Sequence, residues 1–348
     1  MNFENNPKKL GFKFPAEWEK QKSIWFSWPH KVASWPGKFE PIPEIFAKII
    51  STICEDEFVN INILDEVMEE EVKRILSKYP STKNNFALHK IPTNDAWCRD
   101  HGPAFLINPK TKEKAIVDWS YNAWGGKYPP FDLDDDVPTK IAQALNVKIF
   151  YPGIVMEGGS IDVNGEGCLL TTKSCLLNKN RNPNLTQNEI ENYLKEFYGQ
   201  EKILWLDDGI VGDDTDGHID DIARFTSPNR IVTCVEEDPQ DENYKILQEN
   251  LQQLKLMECL KGEKFHIIKL PMPGVVEFEA QRLPASYANF LITNSKVLVP
   301  IFNHQNDKKA LAILQNEFKT RKVIGIDCVD LVWGLGTIHC ISQQEPEI

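Results

Sequence analysis

Short apolar runs alternate with amphipathic stretches along this chain, and that β-then-α rhythm narrows its fold more than any single motif. SIWFSWP (23–29) reads as a strand, Pro41–Ile53 as a helix, FVNINIL (58–64) as a strand and Glu66–Lys78 as a second helix. Further strands are expected at NFALHKIP, AFLINP, EKAIVDW, VKIFYP, SIDVNG, CLLTTKSCLL, KILWL, IARFTSP, RIVTCVE, KFHIIKLP, YANFLITNSKVLVPIF, KVIGID and TIHCIS. Helices are expected at 138–146, 186–198, 241–256 and 308–317. Thr186 with Glu189 forms a capping box ahead of Ile190, Leu194 and Phe197, and Asp241 opens a helix with Ile246, Leu247 and Leu251 on one face. The sharpest shift in composition is the acidic, Pro-bounded YPPFDLDDDVPTK near 128–140. No Ser/Gly/Pro linker divides the chain, so residues 1–348 read as one α/β domain.

Polar clusters sit at strand ends near 95–100, 157–160, 217–221, 286–290 and 334–340, roughly 60 residues apart. Five repeated units arranged in a ring would bring these clusters to one centre. Polar strand ends also occur in any α/β enzyme, so the spacing alone leaves both readings open.

The charge balance is acidic, 39 Lys+Arg against 51 Asp+Glu for a net charge of −12. Binding along a nucleic-acid backbone needs a basic face, so no nucleic-acid partner is expected. A small cationic partner fits the sign. No run of about 18 apolar residues is present to span a membrane, and MNFENNPKKLGFKFPAEW lacks an apolar signal core, so a soluble cytosolic protein is expected. The 8 cysteines form no CxxC and suit neither a zinc site nor a disulfide framework. Reduced thiols follow, and one of them can be a nucleophile.

Four clusters carry residues suited to chemistry. Asn94–Pro103 packs Asp95, Trp97, Arg99, Asp100 and His101 between apolar runs. Such a set either fixes a loop or holds a carboxylate where a planar cation docks bidentately. Asp100 stands where the chain must turn, and Arg99 is expected to point away and brace the loop. Glu157-Gly158-Gly159 opens the second cluster, and its glycines permit close backbone approach or merely a turn. The third, Asp213–Phe225, holds Asp213, Asp214, Asp216, His218, Asp220 and Asp221 but lacks the calcium-loop pattern. In a strand, His218 and Asp220 would face one side, an acid–base group beside a carboxylate. The fourth, Gly334–Pro346, places Cys340 on a strand-like segment after two glycines. A lone cysteine is often just a small buried hydrophobe. Here His218 and several acids are available as partners, though only the fold can assemble them. The aromatic run Trp119–Lys127, with Trp124, would wall a pocket for a flat cation or belong to an ordinary aromatic core.

At these same residues the sequence resembles the agmatine deiminases, within the peptidyl-arginine deiminase-like, guanidine-modifying superfamily. The shared stretches are WPH (28–30), DAWCRDHGP (95–103), NAWGGKY (122–128), EGGSIDVNGEG (157–167), CLLNKNRNP (175–183), DDTDGHIDD (213–221), SYANF (286–290) and IHCISQQEP (338–346). The resemblance implies a five-bladed α/β propeller of ββαβ units. It also implies Cys340 as nucleophile, His218 as acid–base group, Asp100 and Asp220 as guanidinium-binding carboxylates and Glu157 as the pocket glutamate. The family's GGGN stretch reads here Gly334-Leu335-Gly336-Thr337, which alters loop shape. Cys98 and His101 are assigned no role. The implied reaction is hydrolysis of agmatine to N-carbamoylputrescine and ammonia through a covalent thiouronium, with no cofactor and no metal. Asp213, Asp214, Trp97 and Trp124 are candidates for the substrate tail. A homo-oligomer is expected from the family. Alternatives are an arginine or peptidyl-arginine deiminase, which needs a basic residue near the tail, a catalytically inactive agmatine- or polyamine-binding protein, and a zinc hydrolase.

Overall fold

A computed structural model describes residues 6–348. Five sheets repeat one plan in which a first strand pairs antiparallel with a second, and the second pairs parallel with a third. The first sheet is Ala104–Asn108, Glu113–Val117 and Lys148–Phe150. Ile161–Val163, Cys168–Thr172 and Lys202–Leu206 form the next. Ala223–Ser227, Arg230–Val235 and His266–Pro271 follow. The fourth comprises Leu291–Ile292, Lys296–Ile301 and Lys322–Asp327. In the fifth, Ser342–Pro346 lies antiparallel on Gln21–Ser27, which runs parallel to Phe58–Ile63 and through it to Phe86–Lys90. That last sheet ties the C-terminal segment to the N-terminal one.

Each parallel pair needs a crossover, because its strands run the same way and no tight turn can join them. Helices Ile42–Ile53, Glu66–Leu76, Val137–Leu145, Gln187–Tyr198, Tyr244–Leu256 and Asp307–Glu317 supply it. Ile42–Ile53 buries Ile42, Phe46, Ala47, Ile49, Ile50 and Ile53 on one face, as the 3.6-residue period requires. The Thr186/Glu189 capping box forms, and Gly199 ends that helix in the left-handed region. Among the described residues no helix is long and apolar enough to cross a membrane.

Several boundaries differ from expectation. The strand at 168–177 stops at Thr172, whose hydroxyl accepts the Cys175 N–H at 3.3 Å and turns the chain into the short helix Lys173–Leu176. The run from 287 to 302 is two strands, because Thr293 N–H bonds to Lys296 O at 2.9 Å and closes a hairpin. Asp241 does not open its helix, which begins at Tyr244. Its carboxylate accepts from Arg282 at 2.9 Å and from Asn243 N–H at 2.8 Å. A small hairpin, Glu277–Phe278 with Gln281–Arg282, was not expected. The segment expected as a strand at 337–342 is a turn, and the strand starts only at Ser342.

The polar clusters follow the repeat closely. Each stands immediately before the first strand of a sheet, at 98–101, 157–160, 218–221, 286–290 and 337–341. They are turns and single-turn helices rather than strand ends, so side chains there do not follow the alternation of a strand.

Candidate active site

All five of these turns converge on one buried group of side chains. Gly159 lies at its middle: a Cβ there would come within 2.6 Å of His218 Nδ1, 2.8 Å of Asp100 Oδ1 and 3.1 Å of Asp220 Oδ2. Only glycine lets the three turns close this tightly. Gly336 plays the same part beside the thiol, where a Cβ would meet Trp97 at 2.7 Å and Cys340 Sγ at 3.2 Å.

Asp100 sits in the single-turn helix Cys98–His101. Its Oδ1 accepts Gly159 N–H at 2.9 Å and its Oδ2 accepts the Trp124 indole N–H at 2.9 Å. To reach it, Ala123 and Trp124 take positive φ of 51° and 55°, a conformation uncommon for residues with side chains. Burial pushes the Asp100 carboxyl up to about 6, against the pull of the nearby His218. Arg99 points away as expected, its Nε donating to His339 O at 3.3 Å and its Nη1 to Gln344 Oε1 at 2.7 Å.

His218 and Asp220 do not lie on a strand. His218 is extended, and Ile219–Asp221 is a 3-10 turn that carries Asp220 to a different neighbour. His218 Nδ1 stands 3.7 Å from Asp100 Oδ1 and Nε2 stands 4.0 Å from Glu157 Oε2, and among the described residues neither nitrogen has a hydrogen-bond partner. Burial disfavours its charged form, yet Asp100, Cys175 and Glu157 together raise its pKa well above that of a free imidazole. Glu157 is fixed from behind by Arg181, whose Nε donates to Oε1 at 2.6 Å. Asp220 turns its Oδ2 to His339 Nδ1 at 2.6 Å, while its Oδ1 is buried with no hydrogen-bond partner among the described residues. Against burial, that bond and the charge on His339 hold Asp220 below the usual carboxylate range.

Cys340 Sγ lies 3.9 Å from Asp220 Oδ2 and 3.1 Å from Asn289 Nδ2. Burial first, then Asp220, Asp221 and Asp100, raise its pKa well above that of an ordinary thiol. The thiol belongs to a turn, not to the strand-like segment expected for it. It forms the floor of a cavity of about 250 Å³ with Asp100, and the walls include Trp97, Trp124, Tyr128, Asp214 and Leu335. Leu335 occupies the left-handed region at φ 69°, the conformation a glycine would adopt freely. His218, Glu157 and Asp220 lie behind that floor, each at most 1 % exposed.

Of the four tail candidates, Trp97, Trp124 and Asp214 line the cavity and Asp213 does not. Asp213 instead accepts the backbone N–H groups of Thr215, Gly217 and His218 at 2.7–3.0 Å and so shapes the His218 loop. Asp214 is bonded by Tyr128 and by Lys127 Nζ, the latter at 3.2 Å. Lys31 also reaches the cavity, where its Nζ lies 3.3 Å from Asp95.

The side chains missed from sequence are Asn289, His339, Glu17, Cys175 and Arg181. His339 Nε2 meets Glu17 Oε2 at 2.8 Å, and Glu17 accepts from Arg224 at 2.7 Å. Cys175, His218 and Glu157 bring possible ligand atoms within 4.8 Å of one another. The Arg181 guanidinium on Glu157 opposes a cation there. Arg181 stands in the CLLNKNRNP stretch and Asn289 in SYANF, so both had a sequence marker. Glu17 had none.

The comparisons agree with this geometry. The model of the Porphyromonas-type peptidyl-arginine deiminase family matches residues 13–346. A Legionella pneumophila protein provisionally named an agmatine deiminase is 37% identical over 100% of this chain and 98% of its own. The chain belongs to the agmatine deiminase family, within that peptidyl-arginine deiminase group. Its α/β fold is that of solved family members. The agmatine deiminase of Enterococcus faecalis superposes with a TM-score of 0.92 at 35% identity, covering 98% of each chain. A substrate-bound C. jejuni agmatine deiminase carrying a cysteine-to-serine change gives 0.87 at 32% identity and 96% of each chain.

Proposed function

We propose that this chain hydrolyses agmatine to N-carbamoylputrescine and ammonia, with Cys340 as nucleophile. The observation that carries the reading is a buried Cys340 thiol lining an acidic, aromatic cavity with Asp100, 3.9 Å from Asp220, with the His218 imidazole set between Asp100 and Glu157 in the same group of side chains. Asp220 Oδ1 is free to take a guanidinium N–H, and Asp100 offers a second carboxylate across the site. A guanidinium seated between them adds the positive charge that favours a Cys340 thiolate.

The steps follow from this placement. The thiolate attacks the central guanidinium carbon and a C–S bond forms. His218, held protonated by its carboxylates, gives its proton to one terminal nitrogen. The C–N bond breaks and ammonia leaves, giving a thiouronium on Cys340. His218 then takes a proton from water as the water oxygen attacks the same carbon. The C–S bond breaks, the thiolate returns and the ureido product departs. Glu157 holds His218 by charge, and Arg181 holds Glu157.

The ammonium tail of agmatine would lie among Trp124, Trp97 and Asp214. Lys31 is the basic residue an arginine substrate would want, but Asp95 already pairs with it. The test is release of ammonia and ureido product from agmatine, free arginine and an internal-arginine peptide, with Cys340→Ala as control. Agmatine should be preferred, with turnover abolished in the variant. Preference for either arginine substrate would reassign the tail site, and no turnover of any would support a binding protein.

The same reading sets the five sheets as blades of one α/β propeller, a single domain, supported by their common plan and the convergence of all five turns. Homo-oligomer formation is part of it, and molar mass in solution checks that.

A further inference from the structure

Asn289 stands in the turn before Leu291–Ile292, and its side chain is fully buried. Its Oδ1 lies 3.1 Å from His339 N and 2.7 Å from Thr337 Oγ1. A backbone N–H can only donate, so that side of the amide is the carbonyl oxygen. The opposite side is therefore the NH₂ group, and it lies 3.1 Å from Cys340 Sγ. The charged groups facing the sulfur from the other turns are Asp100, Asp220 and Asp221, all acidic. Each opposes a negative sulfur, whereas the Asn289 amide N–H and the Thr337 backbone N–H favour one.

We propose that Asn289 is a catalytic residue whose side-chain amide donates to the Cys340 sulfur and stabilises the thiolate when it attacks and again when it leaves. The inference rests on Cys340 being the nucleophile. Once the C–S bond has formed, the sulfur is no longer anionic and the hydrogen bond weakens. As that bond breaks, the hydrogen bond recovers. The amide thus acts most strongly on the states that need help, with its orientation set in advance by Thr337 and His339.

The test measures alkylation of Cys340 by iodoacetamide, read by mass spectrometry on the Cys340 peptide, beside agmatine turnover. Alkylation needs no guanidine, so it reports on the amide–sulfur contact whether or not agmatine is the substrate. Asn289→Asp keeps the acceptor for His339 and Thr337 but replaces the donor. Both rates should fall about 10²-fold, the scale of losing one preorganised donor. Thr337→Val removes one anchor and leaves the donor, so alkylation should stay within about 3-fold of the unaltered protein, below the roughly 10-fold that 1.4 kcal/mol represents. Unchanged alkylation in Asn289→Asp overturns the proposal. So does an equal loss in Thr337→Val, which would make Asn289 a loop anchor. Where Asn289→Asp does not fold, Asn289→Ala takes its place under the same criterion.

Discussion

His218 and His339 are both buried, and both stand between two carboxylates, yet they are built for opposite tasks. His218 has Asp100 and Glu157 at 3.7 and 4.0 Å, and both its ring nitrogens are unbonded. His339 has Asp220 and Glu17 at 2.6 and 2.8 Å, and both nitrogens are engaged. The first pair of carboxylates holds charge on the ring without occupying its protons. The second pair occupies both ring edges and leaves nothing to donate to a substrate. On the proposed mechanism, distance rather than residue type separates a proton carrier from a brace. On that mechanism the brace also serves binding, because by taking Asp220 Oδ2 it leaves Oδ1 for a guanidinium.

The largest effect that would break this contrast is at His218. His218→Asn should lower kcat by about 10³-fold with little change in KM, within the range of lost general acid–base catalysis. Steady-state kinetics on agmatine checks it, and a loss confined to KM would make His218 a binding residue. At His339 the split should reverse. His339→Leu should raise KM about 10-fold, the effect of about 1.4 kcal/mol of lost binding. It should also destabilise the fold by about 3 kcal/mol, because Glu17 and Asp220 lose a buried partner. His339→Asn keeps one donor within reach of Asp220 and should recover most of the KM change. If His339→Leu loses kcat instead, the two histidines are not functionally distinct.

The site was legible in the sequence where a turn before a first strand gathers unusual residues. Asp100, Glu157, His218, Asp220 and Cys340 all stand in such turns, and their spacing follows the repeat. What was illegible came from outside that pattern. Glu17 lies in FPAEW before the first strand, 322 residues from the histidine it meets, and the fifth sheet that joins the chain's two end segments brings them together. Asn289 looked like part of a strand because the long apolar run continues past it, until Thr293 closes a hairpin. Alternation misassigned the His218–Asp220 pair for a related reason: the clusters are turns, and turns carry no two-residue period. The β-then-α rhythm itself was readable because its crossover helices have strongly apolar faces, whereas the ββαβ unit came only with the family resemblance.

A third buried histidine sharpens the contrast at its small end. His101 meets Ser27 Oγ through Nε2 at 2.9 Å, and its Nδ1 stands 3.8 Å from Asp134. Burial pushes the ring down to about 3, and burial pushes the Asp134 carboxyl up to about 8. Here histidine and acid are both neutral at pH 7, so this pair neither carries protons nor braces a charge. Asp134 Oδ1 accepts the Asn94 and Asp95 N–H groups at 2.7 and 3.3 Å, a task an amide oxygen can also perform. The sign of the pH effect follows. Below the ordinary carboxyl value of 3.8 the group is protonated in both states and opposes nothing. As pH rises toward 8, the unfolded chain releases the proton while the folded chain retains it, so folding loses stability across that window. Asp134→Asn removes the titration. Its melting temperature should match the unaltered protein near pH 4 and exceed it by at least about 2 °C at pH 8, with about 2–4 °C for each kcal/mol recovered. Agmatine turnover should not change. A melting difference that is flat with pH would mean that Asp134 is charged beside His101, and the grading of the three histidines by their carboxylates would fail.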